Sequence, residues 1–297
     1  MSRSSNKNRL QVACEISAEA VVAGRARQQG DRLEVYTAKE LPEGAVTPDL
    51  TEANVLRGDW LRDTIKAALD EVGGRGRDVI AILPDAAVRV VLLDFETLPE
   101  KREEAEAVVR FRLKKSLPFD VEKARISYQV QSGSYGNELK VIAAVGLASI
   151  LDEYEAAFRD IGYAPGVVLP SMLAALGAVD AARPTLVVKV DPLTTSIAIL
   201  ERQQLLLFRT LENARGRNIT GEQLAEDVYP SVVFFQDTYK LDVERVFVAG
   251  LSDSEVALQS LHAQTGVEVQ ELVGAEQASG YAGSRSQLAG VTGALLS

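Results

Sequence analysis

The chain has 297 residues, 46% hydrophobic and 25% charged, enough to bury a substantial core in one large domain or two ordinary ones. A net charge of −10 and a pI of about 4.9 argue against a nucleic-acid-binding protein, because a duplex ligand demands a basic face. The single cysteine cannot form an intramolecular disulfide, no run approaches the roughly 20 apolar residues of a membrane span, and the polar start Met1–Arg9 lacks the apolar core of a signal peptide, so a cytoplasmic protein is expected.

Three short segments, Leu10–Cys14, Ala20–Arg27 and Leu33–Lys39, predict strands joined by breaks short enough for antiparallel hairpins. Cys14 lies in the apolar run Leu10–Ile16 and reads as a buried, inert thiol. A polar stretch then leads into a helix over Trp60–Glu71. Asp59 is its candidate N-cap, Trp60 a core anchor at its start, and Gly73-Gly74 its end. Val79–Leu83 is apolar throughout, as a strand covered on both faces should be.

The pattern changes character between Ile82 and Val130. A strand reaches a break at Leu98-Pro99, a helix follows, a second break falls at Leu117-Pro118-Phe119, and another strand comes after it. Within the helix, Ala105, Val108, Val109 and Leu113 form one apolar stripe. Glu100, Glu103, Glu104 and Glu106 sit near its start and Arg110, Arg112, Lys114 and Lys115 near its end, where each sign complements the helix dipole. A solvated face accounts for these charges without a ligand. Beyond it, Leu139–Val145 predicts a strand, Ile150–Ile161 a helix and Val167–Leu169 a short strand. Ser171 is placed to cap an alanine-rich helix running to Asp180, and Ala181–Pro184 is the hinge candidate.

The second half repeats the first. Thr185–Val190, Ser196–Glu201 and Leu205–Thr210 predict strands, and Gly221–Tyr239 a helix with Pro230 inside it. Val246–Ala249 is an apolar strand, Glu255–Thr265 a helix and Val267–Leu272 a strand. Both halves therefore read strand, strand, strand, helix, strand. The repeat predicts an α/β fold of two similar domains, about 1–181 and 182–297, with an inserted subdomain near 86–147. It resembles the paired halves of the actin/Hsp70/sugar-kinase superfamily, which implies a ligand cleft between the halves.

Catalytic constellations are sparse. His262 lies in a polar helix and reads as a surface residue; with no second His and no paired Cys, neither a zinc site nor a His-based triad is expected. The GxxxxGK[ST] phosphate loop is absent. No catalytic residue and no metal ligand is assigned.

In the order of its segments the chain resembles the PilM family, actin-like cytoplasmic proteins of type IV pilus assembly. The resemblance rests on the Leu83-Pro84-Asp85 strand end and the helix after it, the Ser116-Leu117-Pro118-Phe119 break and the Tyr128-Gln129-Val130 strand. It also rests on the helix Leu224–Tyr239 with Phe234-Phe235, the strand that leads to Gly250, and the closing Leu288–Leu296 segment. It implies an actin-like ATPase fold: two ribonuclease-H-like domains, with an inserted subdomain in the first.

The family's nucleotide site uses three small-residue motifs, and this chain departs from each. Glu15-Ile16-Ser17-Ala18 stands where the family has Asp-Ile-Gly-Ser, and Val22 where it has a Lys. Ser17 carries a Cβ where Gly allows close approach of phosphate. Before Thr194-Thr195, an ungapped register places Lys189-Val190-Asp191 on Asp-Ile-Gly. One deletion rescues Asp191 but leaves Pro192 and Leu193 behind it, and Asp191-Pro192 also reads simply as a turn. Gly250-Leu251-Ser252 retains one Gly of the adenine turn. A degenerate site of this kind would consist of Glu15, Ser17, Asp191, Thr194, Thr195 and Gly250. ATP–Mg²⁺ would bind weakly or not at all, and no cofactor is expected.

The resemblance therefore implies a scaffold that is not an enzyme. The alternatives are an active ATPase or sugar/acyl kinase of the actin/Hsp70 superfamily, or the equivalent type II secretion component; the glycines missing from the phosphate hairpins favour the scaffold. The family also implies a partner, the short cytoplasmic tail of a PilN-like bitopic inner-membrane protein. That tail would lie extended between the first domain and its inserted subdomain and hold the protein, among other pilus platform components, at the inner face of the inner membrane. Leu113, Leu117, Pro118, Phe119 and Tyr128 are the candidate contacts, although Leu117 and Phe119 would equally serve to plug the insertion onto the first domain. An acidic chain suits a basic tail.

Overall fold

A computed structural model describes residues 10–27, 32–74, 76–131, 138–215, 218–251, 254–274, 277 and 285–296. The first domain contains β1 (Val12–Ile16), β2 (Ala20–Ala26), β3 (Leu33–Glu40), α1 (Gly58–Val72) and β4 (Asp78–Leu83), and is completed by α3 (Ala148–Arg159), β8 (Ala164–Pro170) and α4 (Ser171–Leu176). Its sheet runs β3-β2-β1-β4-β8. The two hairpin pairings are antiparallel, and β1–β4 and β4–β8 are parallel.

The second domain contains β9 (Thr185–Val190), β10 (Thr194–Glu201), β11 (Gln204–Glu212), α5 (Gly221–Tyr239), β12 (Arg245–Ala249), α6 (Ser254–Thr265), β13 (Val269–Glu271) and α7 (Ala289–Leu296). Its sheet, β11-β10-β9-β12-β13, has the same order and the same mixture of antiparallel and parallel pairings. The duplication read from the sequence is therefore a duplication of topology. Between the halves, β5 (Arg89–Phe95), α2 (Arg102–Leu113), β6 (Ala124–Val130) and β7 (Leu139–Leu147) form a separate antiparallel sheet, β5-β7-β6.

Local chemistry explains most of these elements. Leu61, Ile65, Ala68, Leu69 and Val72 recur at helical spacing and are buried, which docks α1 on the first sheet. α5 opens with a capping box in which Thr220 and Gln223 satisfy each other's backbone N–H groups. In α2 the stripe Ala105, Val109 and Leu113 closes the core of the insertion against Phe95, Val121 and Val141. Cys14 is fully buried in β1, and burial pushes its thiol pKa well above the ordinary range, as an inert thiol requires.

Three local expectations are corrected. Arg57, not Asp59, occupies the N-cap of α1, and it makes no side-chain cap hydrogen bond. Trp60 is 41% exposed with the Arg57 guanidinium over its ring, because the apolar stripe begins one residue later, at a rotation of about 100°. The alanine-rich helix stops at Leu176: Gly177, Ala178 and Val179 bond to Ala174, Ala175 and Leu176, a tighter turn that ends the α ladder.

The last helix decides how the halves meet. Although it belongs to the second half in sequence, α7 packs against α4 and on β1 and β2 of the first domain. One cluster of buried side chains then runs across both domains, from Ala13 and Ile82 through Met172 to Val187, Ala198 and Val291.

Candidate functional site

Charged side chains inside otherwise apolar strands mark the centre of the molecule. Glu15 is the penultimate residue of β1 and Lys189 interrupts β9, and both are buried. Lys189 Nζ lies 2.5 Å from Asp191 Oδ1 and 3.4 Å from Glu15 Oε1, so one ammonium joins the two domains. Ser171 Oγ, at the first residue of α4, donates to Glu15 Oε1 instead of capping its helix. Asp85, in the turn after β4, takes the capping role from a distance: its carboxylate accepts from Met172 N at 3.0 and 3.2 Å and from Ser196 Oγ of β10 at 2.8 Å.

Three buried carboxylates thus surround one buried cation. Burial alone would pull the Lys189 pKa down, but Asp191, Glu15 and Asp85 together push it up to about 12. Burial, aided by the charge of Asp191, pushes Asp85 up to about 6 against the pull of Lys189 and the Met172 and Ser196 hydrogen bonds. Glu15 is raised in the same way, by burial first and Asp191 second, while Lys189 and Ser171 oppose the shift. Glu15 Oε2 and Asp191 Oδ2 have no hydrogen-bond partner among the described residues.

Four of the residues singled out from the sequence converge here. Glu15, Ser17, Asp191 and Gly250, with Lys189 and Val22, line a cavity of about 10 Å³, the scale of a single water. Ser17 explains part of the closure. Its Oγ accepts from Ala20 N at 3.0 Å and Glu19 N at 3.3 Å and donates to Ala20 O at 3.1 Å. The Ser17, Glu19 and Ala20 N–H groups of this hairpin are therefore engaged within the turn. Glycines close the space from two other sides. Gly250 has φ +88°, and a Cβ there would meet Val190 O at 1.8 Å; a Cβ at Gly290 of α7 would meet Glu15 Oε2 at 2.3 Å. The glycine kept from the third motif thus serves a close contact between β12 and β9. Thr194 and Thr195 stand apart from this set: Thr195 is buried in β10, and Thr194 lines a different cleft.

That second cleft, about 500 Å³, lies where the first-domain loop Pro48–Thr51, the turn Asp85–Arg89, Pro118 of the insertion and Leu193–Thr194 of the second domain meet. Of the candidate partner contacts, Pro118 lines it and is exposed. Leu113 is fully buried in the insertion core, so its side chain is not available to a partner. Leu117, Phe119 and Tyr128 are half-buried and pack against that same insertion core, not against the core of the first domain. Lys189, Asp85, Ser171 and Ser196 were not singled out as site residues. The signal for Lys189 was present: a lone charge inside Leu186–Val190, a strand apolar on both faces. His262 is exposed, with Nδ1 2.8 Å from Val267 O, and no group of three or more metal-ligating side chains occurs among the described residues.

No protein-family model matches the chain, and no curated protein matches it by sequence. Solved structures do match. A PilM–PilN type IV pilus biogenesis complex aligns over 97% of this chain and 98% of the other, at a TM-score of 0.76 and 20% identity. The chain has an actin-like fold, in the PilM arrangement. A Bacteroides thetaiotaomicron protein with an actin-like ATPase fold aligns over 94% and 93% at a TM-score of 0.56 and 12% identity. The cytoplasmic domain of EpsL, an inner-membrane component of the Vibrio cholerae type II secretion system, aligns over 96% and 94% at 0.54 and 11%. In the PilM-like arrangement the sealed ionic cluster sits between the two halves, where the sequence repeat placed the ligand cleft. No described helix is long and apolar enough to cross a membrane.

Proposed function

We propose that this chain is an actin-like scaffold of a type IV pilus platform, not an enzyme, and that it receives the short cytoplasmic tail of a PilN-like inner-membrane protein. The observation that carries the reading is Lys189. Its ammonium, held by Glu15 and Asp191, supplies from within the protein the positive charge that a metal–nucleotide complex would otherwise bring to those carboxylates. Around it, the Ser17 hydroxyl engages the Glu19 and Ala20 N–H groups of the hairpin, and the remaining cavity of about 10 Å³ is far below the size of a nucleotide. The residues present do not fit ATP–Mg²⁺, and no catalytic step is assigned to them.

The tail-binding part of the reading moves from the buried Leu113 to the 500 Å³ cleft, where Leu50, Pro118 and Leu193 offer apolar surface and Leu193 is 40% exposed. Asp49, Asp85 and Glu212 also line it, opposed by Arg89, so a tail carrying Arg or Lys beside its apolar anchors is the better electrostatic match. Recruitment through such a tail would bring the protein to the cytoplasmic face of the membrane. Titrating a synthetic peptide of the paired tail should give saturable binding and a raised Tm. A folded protein that shows neither effect with the correctly paired tail overturns the adaptor role. Low-micromolar binding of ATP by calorimetry overturns the degenerate site.

A further inference from the structure

A groove of about 800 Å³ is separate from the sealed cluster and is bounded by two strand edges. β5 is the outer strand of the insertion sheet and β11 the outer strand of the second domain; among the described residues neither pairs with a further strand. Consecutive residues Arg89–Leu92 and Leu206–Leu211 line the groove. Side chains alternate between the faces of a strand, so an unbroken run of neighbours meets one space only along the strand's backbone edge.

One end of the β11 edge is already engaged in strand fashion. The Gln131 carboxamide accepts from Leu205 N at 2.7 Å and donates to Leu205 O at 2.9 Å, as the backbone of a neighbouring strand would. Beyond Leu205 the edge faces the groove. The charges there are unbalanced. Lys140 is paired with Asp94 at 2.7 Å. The Arg89 side chain makes no hydrogen bond or ion pair with a described residue. Arg209 reaches only Ser231 Oγ at 3.4 Å and stacks over the half-exposed Phe234 ring at 5.1 Å. Glu138 is the one further carboxylate on the lining, against two guanidinium groups without a carboxylate of their own.

From this we infer that the groove between β5 and β11 is a second docking surface, which takes an extended acidic segment of another protein by strand addition to β11. Backbone N–H and C=O groups of β11 beyond Leu206, whose own C=O accepts from Tyr239 Oη at 3.1 Å, supply the affinity, and Arg89 and Arg209 select carboxylates. The surface adjoins the tail cleft at Arg89 and Thr210, which line both, but Arg209 and the β11 edge from Leu206 to Arg209 belong to it alone, whereas the carboxylates of the tail cleft favour the opposite charge.

The test selects a displayed library of random short peptides on the whole chain, with the Arg209→Glu variant as counter-target. Arg209 lines this groove and not the tail cleft. Selected peptides should be enriched in Asp and Glu over Lys and Arg, and should bind Arg209→Glu at least about tenfold more weakly. They should also protect the amides of Leu206–Leu211 from hydrogen exchange. Enrichment of basic or purely apolar peptides, unchanged binding to Arg209→Glu, protection confined to other strands, or failure to select any peptide would each overturn the proposal. A dimer in solution that Arg209→Glu abolishes would assign the groove to a second copy of this chain and overturn it equally. Since Arg209→Glu leaves the tail cleft intact, loss of tail binding and loss of acidic-peptide binding remain separable.

Discussion

The cleft between the two ribonuclease-H-like halves and the grooves beside the inserted subdomain are built from the same sheets, yet one is sealed and the others are open. In the sealed region Lys189, Glu15, Asp191 and Asp85 neutralise one another, and glycines let α7 and β12 press against them. In the open regions strand edges and loops meet at a few points, such as Gln131 against Leu205, leaving about 500 and 800 Å³. The difference teaches that space for a ligand lies not at the ionic centre of the fold but at the borders of the insertion, which is where the proposed reading puts recognition.

Breaking the sealed side should have the largest effect. Lys189→Met leaves Glu15 and Asp191 buried without their cation and should cost about 3–5 kcal/mol, read as a fall in the urea midpoint. A variant as stable as the parent would mean that the carboxylates are held neutral, without need of Lys189.

Next comes the open side. Leu193→Glu introduces charge into apolar surface of the tail cleft and should weaken tail binding at least about tenfold, with little change in Tm. Unchanged tail affinity would place the tail elsewhere.

A smaller, pH-dependent effect should come from Asp85. Its folded pKa, about 6, lies above the ordinary aspartate value of 3.8, so the folded state binds the proton more tightly than the unfolded state. The stability this contributes is fully present below the unfolded pKa and is lost as pH rises through the folded value. Stability should therefore decline between about pH 4 and pH 6. Asp85→Asn, which cannot ionise, should flatten that part of the profile; an unchanged profile would assign the decline to another group.

The smallest expected change is Ser17→Gly. It frees the Glu19 and Ala20 N–H groups, yet Lys189 still fills the site, so no nucleotide binding should appear by calorimetry. Micromolar binding in this variant would identify Ser17, not Lys189, as the obstruction.

The departures of Ser17, Val22 and Leu193 from a phosphate cradle were legible only through the family resemblance, whereas periodicity alone determined most of the architecture, namely the repeated strand–strand–strand–helix–strand order and the insertion between the halves. These are local properties, since alternation and apolar stripes are set by neighbours in the chain. Trp60 shows the limit of that reading, because which helical face meets the sheet depends on a register set elsewhere. Only the tertiary structure decided that Lys189, from the second half, would reach Glu15 in the first, and that Asp85 would cap α4 across 87 positions of sequence. It alone also sent α7 back onto the opening hairpin and left the edges of β5 and β11 facing one groove. Partners of a buried charge, and the vacancy beside a strand edge, arise from segments distant in sequence, and no local pattern encodes that proximity.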